Sequence, residues 1–139
     1  MKITGVIVHG KQLGRTIGFP TANIRPDDPA SVTAENGVYV AVISIPGHPP
    51  RLPCMLNQGT HPTVPEGPPT IEAHILDFSA DVYDCRAEVE YLAFLRPEQK
   101  FPSLEALKDQ LKSDLEATRR TLGETLSLGK ERVSPRPAS

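Results

Sequence analysis

Short stretches of alternating apolar and polar residues, parted by proline- and glycine-rich turns, leave room in this chain for only one segment of helical period. A period of two puts successive side chains on opposite faces of a strand, whereas a period of 3.6 builds a one-sided helical stripe. Residues Ile3 to His9, Gly37 to Ile45, Leu52 to Gln58, Thr70 to Phe78 and Arg86 to Leu95 read as strands. The segment Thr21–Asn23, if extended, adds another. In the fourth of these runs Ile71, Ala73 and Ile75 face one side, and Glu72 and His74 the other. In the fifth, Ala87, Val89, Tyr91, Ala93 and Leu95 oppose Glu88 and Glu90. The single helical stripe is Leu104, Leu107, Leu111, Leu115, Thr118 and Leu122, with Ser103 as N-cap and Gly123 as the C′ residue that stops it. Fifteen prolines in 139 residues, about twice the usual share, favour short strands joined by stiff loops over a helical bundle. The expected fold is mainly β: a small closed antiparallel barrel of about six strands with one C-terminal α-helix packed across it.

The length suits one domain. Residues 1–128 are expected to form the barrel with its helix, and residues 129–139, rich in Lys, Arg, Ser and Pro, a disordered tail. A net charge of −2 argues against nucleic acid or an anionic membrane as the main partner, so any phosphate must be held by local groups. Cys54 and Cys85 are too few for a disulfide framework and fit a reducing cytosol, where they serve as small apolar or incidental residues. The opening Met1–Thr4 has no signal-peptide core, and no apolar run reaches membrane-spanning length. These features together predict a soluble, cytoplasmic domain, and a monomer is the expected state.

The segment Gly14-Arg15-Thr16-Ile17-Gly18-Phe19-Pro20-Thr21-Ala22-Asn23 is the most informative chemically. In extended geometry Thr21 and Asn23 point the same way, setting a hydroxyl beside an amide carbonyl. Both are neutral hard oxygens of the kind Mg²⁺ takes in nucleotide sites, where phosphates and water complete its shell. Pro20 stiffens the approach to the pair. Gly10, Gly14 and Gly18 would let backbone N–H groups come close to a phosphate, and Arg15 offers a fork suited to its oxygens. The competing reading is a Gly/Pro loop in which Thr and Asn merely make turns. Gly5 to Lys11 matches the opening of a phosphate-binding P-loop, but Gln12 stands where Ser or Thr should bind the metal, and the Val-Ile-Val interior is strand-like. The P-loop is rejected. No His-Glu-x-x-His, Cys-x-x-Cys or Gly-x-Ser-x-Gly motif occurs.

Four motifs in order resemble those of the riboflavin kinase (flavokinase) family: Val8-His9-Gly10 leading to Gly14–Asn23; Asn57-Gln58-Gly59-Thr60-His61-Pro62-Thr63; Ile71–Phe78; and Phe94-Leu95-Arg96-Pro97-Glu98-Gln99-Lys100-Phe101. The resemblance runs from about Gly5 to about Leu122. It implies an ATP-dependent transfer of phosphate to the riboflavin 5′-hydroxyl, giving FMN and ADP, with Mg²⁺ or another divalent ion as cofactor. It aligns Glu72 with the family's general base, where the residues alone would read as a solvated sheet face. It implies that Gly10, Gly14, Arg15, Thr21 and Asn23 hold the nucleotide phosphates, with Thr21 and Asn23 as metal ligands. Thr63, Arg96 and Phe101 fall on the flavin side, although Arg96 alone would read as a surface charge. His74 reads as a structural strand histidine, with a role in orienting Glu72 as the alternative, while His61 faces either ligand or solvent. Asp77, Asp81 and Asp84 read as turn residues before metal ligands. Two departures concern loop geometry: Asp84-Cys85 stands where the family usually has glycine, and Gln58 where it has an apolar residue. The chain lacks the N-terminal nucleotidyltransferase domain of bifunctional bacterial flavin synthetases, so it reads as a stand-alone kinase or as their kinase module. A non-catalytic flavin- or nucleotide-binding barrel, or an interaction domain, is the alternative.

Overall fold

The structure, a computed structural model, describes residues 1–9, 18, 20–60 and 69–133, the last ten of these by backbone only. Six strands, β1 (Lys2–Val8), β2 (Ala22–Pro26), β3 (Gly37–Ser44), β4 (Leu52–Gly59), β5 (Thr70–Ile75) and β6 (Arg86–Pro97), close into a barrel in the order β1-β2-β5-β4-β3-β6. Every neighbouring pair is antiparallel, including the β1–β6 pair that seals it. Closure removes the exposed edges that an open sheet of this size would carry. Alternation decides which side chains go inside: Ile71, Ala73 and Ile75 are buried in the barrel while Glu72 and His74 are only half-buried on its outer face. Ala22, Ala41, Ala73 and Ala87 leave space among the interior isoleucines, valines and tyrosines, as a narrow barrel requires.

The alternation expected along β6 holds through Tyr91 and then breaks. Ala41 pairs with Tyr91 but Val40 with Ala93, and Tyr39 with Phe94 but Val38 with Arg96, so Leu92 and Leu95 are bulged out of the ladder. Each bulge adds one residue and moves the rest of the strand to the other face. Leu95, expected inside with Val89, accordingly packs outside with Val38, Met55 and Leu76.

Helix α1 (Leu104–Val133) covers that outer cluster with Leu111, Leu115 and Leu122. Ser103 caps it as expected: its Oγ accepts from the Ala106 N–H at 3.1 Å. Leu104, in the expected stripe, is 51% exposed because the first turn does not lie on the cluster. The helix does not stop at Gly123 but continues to Val133, and Gly123 is not among the glycines with positive φ that a C′ cap would need. The following Glu124-Thr125-Leu126-Ser127-Leu128 contains good helix formers, which offset the cost of one glycine. The helix crosses the expected boundary at residue 128, and residues 134–139 lie outside the described part.

A nearly buried ion pair fastens the helix. Asp114 accepts from Arg96 Nε at 3.0 Å and Nη2 at 2.7 Å, and from Gln110 Nε2 at 3.0 Å. Thr118, fully buried, returns its hydroxyl to the Asp114 carbonyl at 2.8 Å. Among the described residues no helix is long and apolar enough to cross a membrane.

Candidate functional site: a polar row on the outer wall of the barrel

Glu72 faces outward because its neighbours Ile71 and Ala73 are needed inside. Asn23 of β2 stands opposite it on one side and Asn57 of β4 on the other. Directly opposed residues of this kind have Cβ atoms about 5 Å apart. Thr21, one residue before β2, donates its hydroxyl to Glu72 Oε1 at 3.2 Å. His74 Nδ1 lies 2.8 Å from the Pro20 carbonyl oxygen. A carbonyl only accepts, so Nδ1 carries the proton there. The histidine thereby pins the chain entering β2 and fixes where Thr21 points. Gly18, with φ of 90°, supplies a left-handed bend just ahead of this entry.

Thr21, Asn23 and Glu72, expected to act together, are thus brought together. Thr21 and Asn23 offer one hydroxyl and one amide oxygen, hard donors of the kind a Mg²⁺-nucleotide takes, with the Glu72 carboxylate beside them. Donation to Glu72 uses the Thr21 hydrogen and leaves its lone pairs for a cation. Gly10, Gly14, Arg15, Thr63 and His61 lie outside the described residues. No group of three or more His, Cys, Asp or Glu side chains suited to a metal occurs among the described residues. Asp81 instead accepts from the Tyr83 N–H at 3.1 Å as a turn residue, and Asp77 pairs with Arg119 at 3.1 Å.

Arg96 and Phe101 are also adjacent, the guanidinium carbon lying 5.7 Å from the ring centroid. They sit further along the same row. From Val8 through Asn23, Glu72, Asn57 and Val38 to Arg96, successive strands contribute residues in register. At roughly 4.8 Å per strand, Arg96 is about 14 Å from Glu72 along the wall. Its Nε and Nη2 are committed to Asp114, so it holds the helix beside the row as well as bordering it.

Two structural features were not legible in the residues. Asn57 lies within a quoted motif, and an outward position two residues from Gly59 was the available signal. The second is a cavity of ≈ 590 Å³ whose lining includes Pro20, Thr21, Ala22, Ile75, Phe78 and Tyr83. His9 stacks on Tyr83 with ring centroids 3.7 Å apart. Thr21 lines this cavity and donates to Glu72 of the row, so the two adjoin at Thr21.

Both departures from the family pattern are accommodated. Asp84 adopts φ of 67°, a left-handed conformation that Asp tolerates better than most residues. Gln58, 1% exposed, donates to the Ala34 carbonyl at 2.7 Å and accepts from the Tyr91 hydroxyl at 2.8 Å. Its buried polar atoms are therefore satisfied. Burial pushes the Cys54 thiol up to about 12, which keeps it protonated and fits its reading as a small apolar residue.

Comparison with known proteins gives the same family. A bifunctional riboflavin kinase/FMN adenylyltransferase of Pseudomonas fluorescens is 40% identical over 85% of this chain and 37% of its own length. The chain therefore spans little more than a third of that relative. Among solved structures, riboflavin kinase from Trypanosoma brucei matches with a TM-score of 0.68 and 31% identity, over 99% of this chain and 90% of that one. A Streptococcus pneumoniae protein described as a macrolide-efflux protein matches with a TM-score of 0.76 and 36% identity, over 85% of this chain and 38% of that one. The riboflavin kinase (flavokinase) family model matches residues 1–122, and the chain belongs to that family.

Proposed function

We propose that this chain transfers the γ-phosphoryl group of ATP to the 5′-hydroxyl of riboflavin, giving FMN and ADP. The observation that carries the reading is the placement of Glu72 between Asn23 and Asn57, with the Thr21 hydroxyl on its carboxylate. Phosphoryl transfer asks little covalent chemistry of a protein beyond positioning, charge neutralisation and a place for one proton. Glu72 supplies that place. As the 5′-oxygen attacks phosphorus, its proton passes to a Glu72 carboxylate oxygen. The new O–P bond forms as the bond to the β-phosphate oxygen breaks, and ADP leaves. A positioned base of this kind contributes about 10²–10⁴ in rate.

Thr21 and Asn23 would hold the nucleotide's divalent ion, most simply Mg²⁺, whose charge offsets that on the transferred group. Because Thr21 also lines the ≈ 590 Å³ cavity, the nucleotide base fits there, beside Phe78 and Tyr83, with its phosphates running out toward Asn23. The flavin then approaches from the other side of Glu72, past Asn57 toward Phe101 and Arg96. Wild-type protein incubated with riboflavin, ATP and Mg²⁺ should yield FMN detectable by HPLC. Tight binding of both ligands without FMN would instead favour a non-catalytic binding module.

A further inference from the structure

Residues distant in sequence meet just past the end of β4. The Glu98 carboxylate accepts from the Thr60 N–H at 2.8 Å and from the Thr60 hydroxyl at 3.0 Å. Gly59 makes this approach feasible: a Cβ there would stand 2.9 Å from Glu98 Oε2 and 3.7 Å from Asn57 Oδ1. The second distance is ordinary contact, but the first is shorter than a Cβ tolerates, so a side chain at residue 59 would push the Glu98 carboxylate away from its present place. Glu98 follows Pro97, whose ring limits the backbone, and Arg96, which is locked to Asp114. It therefore sits on a stiff support. Two bonds to one carboxylate, both charge-assisted, hold Thr60 in orientation as well as in place.

We propose that Glu98 is a positioning residue for the flavin side of the site. It ties the end of β4, three residues beyond Asn57, to the segment that carries Arg96 and Phe101. The distance between the end of β4 and that segment then depends on the Glu98–Thr60 latch, while the nucleotide side, built from β2 and β5, does not. The proposal rests on the phosphotransfer reading above, and it predicts a split that a purely structural bond would not produce.

The test is steady-state kinetics with riboflavin and ATP varied separately, alongside thermal melting. Glu98→Ala should raise the riboflavin KM roughly tenfold, with kcat and the ATP KM changed by about twofold or less, as expected for lost positioning of one substrate. Glu98→Gln, which keeps an acceptor oxygen, should lie between wild type and Glu98→Ala. Thr60→Ser should be close to wild type, whereas Thr60→Val should raise the riboflavin KM by about threefold through loss of one bond. Thr60→Val also serves if Glu98→Ala does not fold. A folded Glu98→Ala variant with an unchanged riboflavin KM, or with both KM values raised alike, overturns the proposal. Wild-type protein that makes no FMN is a separate outcome: the phosphotransfer reading fails first, and this proposal with it.

Discussion

Glu72→Gln exchanges one carboxylate oxygen for an amide nitrogen at the centre of the polar row and changes almost nothing else. The side chain faces outward on β5, so the interior contacts of Ile71 and Ala73 are untouched. The contact at risk is the 3.2 Å bond from the Thr21 hydroxyl, and a glutamine Oε1 can still accept it. Replacing a charged acceptor by a neutral one in a half-buried bond should cost about 1 kcal/mol of stability at most. The cost to chemistry is larger. An amide cannot take the riboflavin proton, so kcat should fall by about 10²–10⁴, equivalent to roughly 2.7–5.4 kcal/mol of barrier. The riboflavin Kd should move little, because the substitution removes a group needed in the transition state and hardly in the ground state. Three measurements separate these quantities: FMN formation by HPLC, riboflavin binding by fluorescence quenching, and melting by circular dichroism. Activity that partly recovers toward high pH would fit, since the hydroxyl then depends less on a base. Turnover near the wild-type rate in a folded variant would refute the role of Glu72 and make it ordinary sheet surface.

Thr21→Ala removes one oxygen from the proposed cation shell, so activity at limiting Mg²⁺ should drop sharply while riboflavin binding stays near wild type; full activity at limiting Mg²⁺ would exclude the hydroxyl as a necessary ligand. Gly123→Ala should stabilise the protein by about 0.4–1 kcal/mol, because a Cβ there meets nothing within 4 Å and the backbone is helical. A lowered melting temperature would instead indicate a left-handed cap. Hydrogen bonds from Arg119, then its charge, hold the Asp77 carboxyl below its ordinary value of 3.8. A depressed carboxyl stabilises the fold above its unfolded pKa and loses that contribution as pH falls through the folded one. Asp77→Asn should therefore flatten the acid limb of the stability curve below about pH 4, and an unchanged acid limb would show that the pair contributes nothing.

What this sequence determined alone was local. Period-two runs specified strands and their inner and outer faces, as the outward pair Glu72 and His74 shows. Ser103 and the leucine stripe specified where the helix begins and which side it buries. The Thr-Ala-Asn spacing put Thr21 and Asn23 on one side, because side-chain direction along an extended chain needs no partner. Tertiary structure decided whatever depends on which strands meet. Barrel order sets β5 between β2 and β4, so Glu72 gains Asn23 and Asn57 as neighbours. Two bulges in β6, invisible in its alternation, turn Leu95 toward the helix and leave Arg96 opposite Val38. Asp114 then claims Arg96, and Glu98 claims Thr60, 38 residues away. Gly123 carried a stop signal that its flanking residues overrode. The physical reason is common to all of these: register, bulges and ion pairs are settled by the partner surface, and a chain encodes that partner only through the closed barrel it forms.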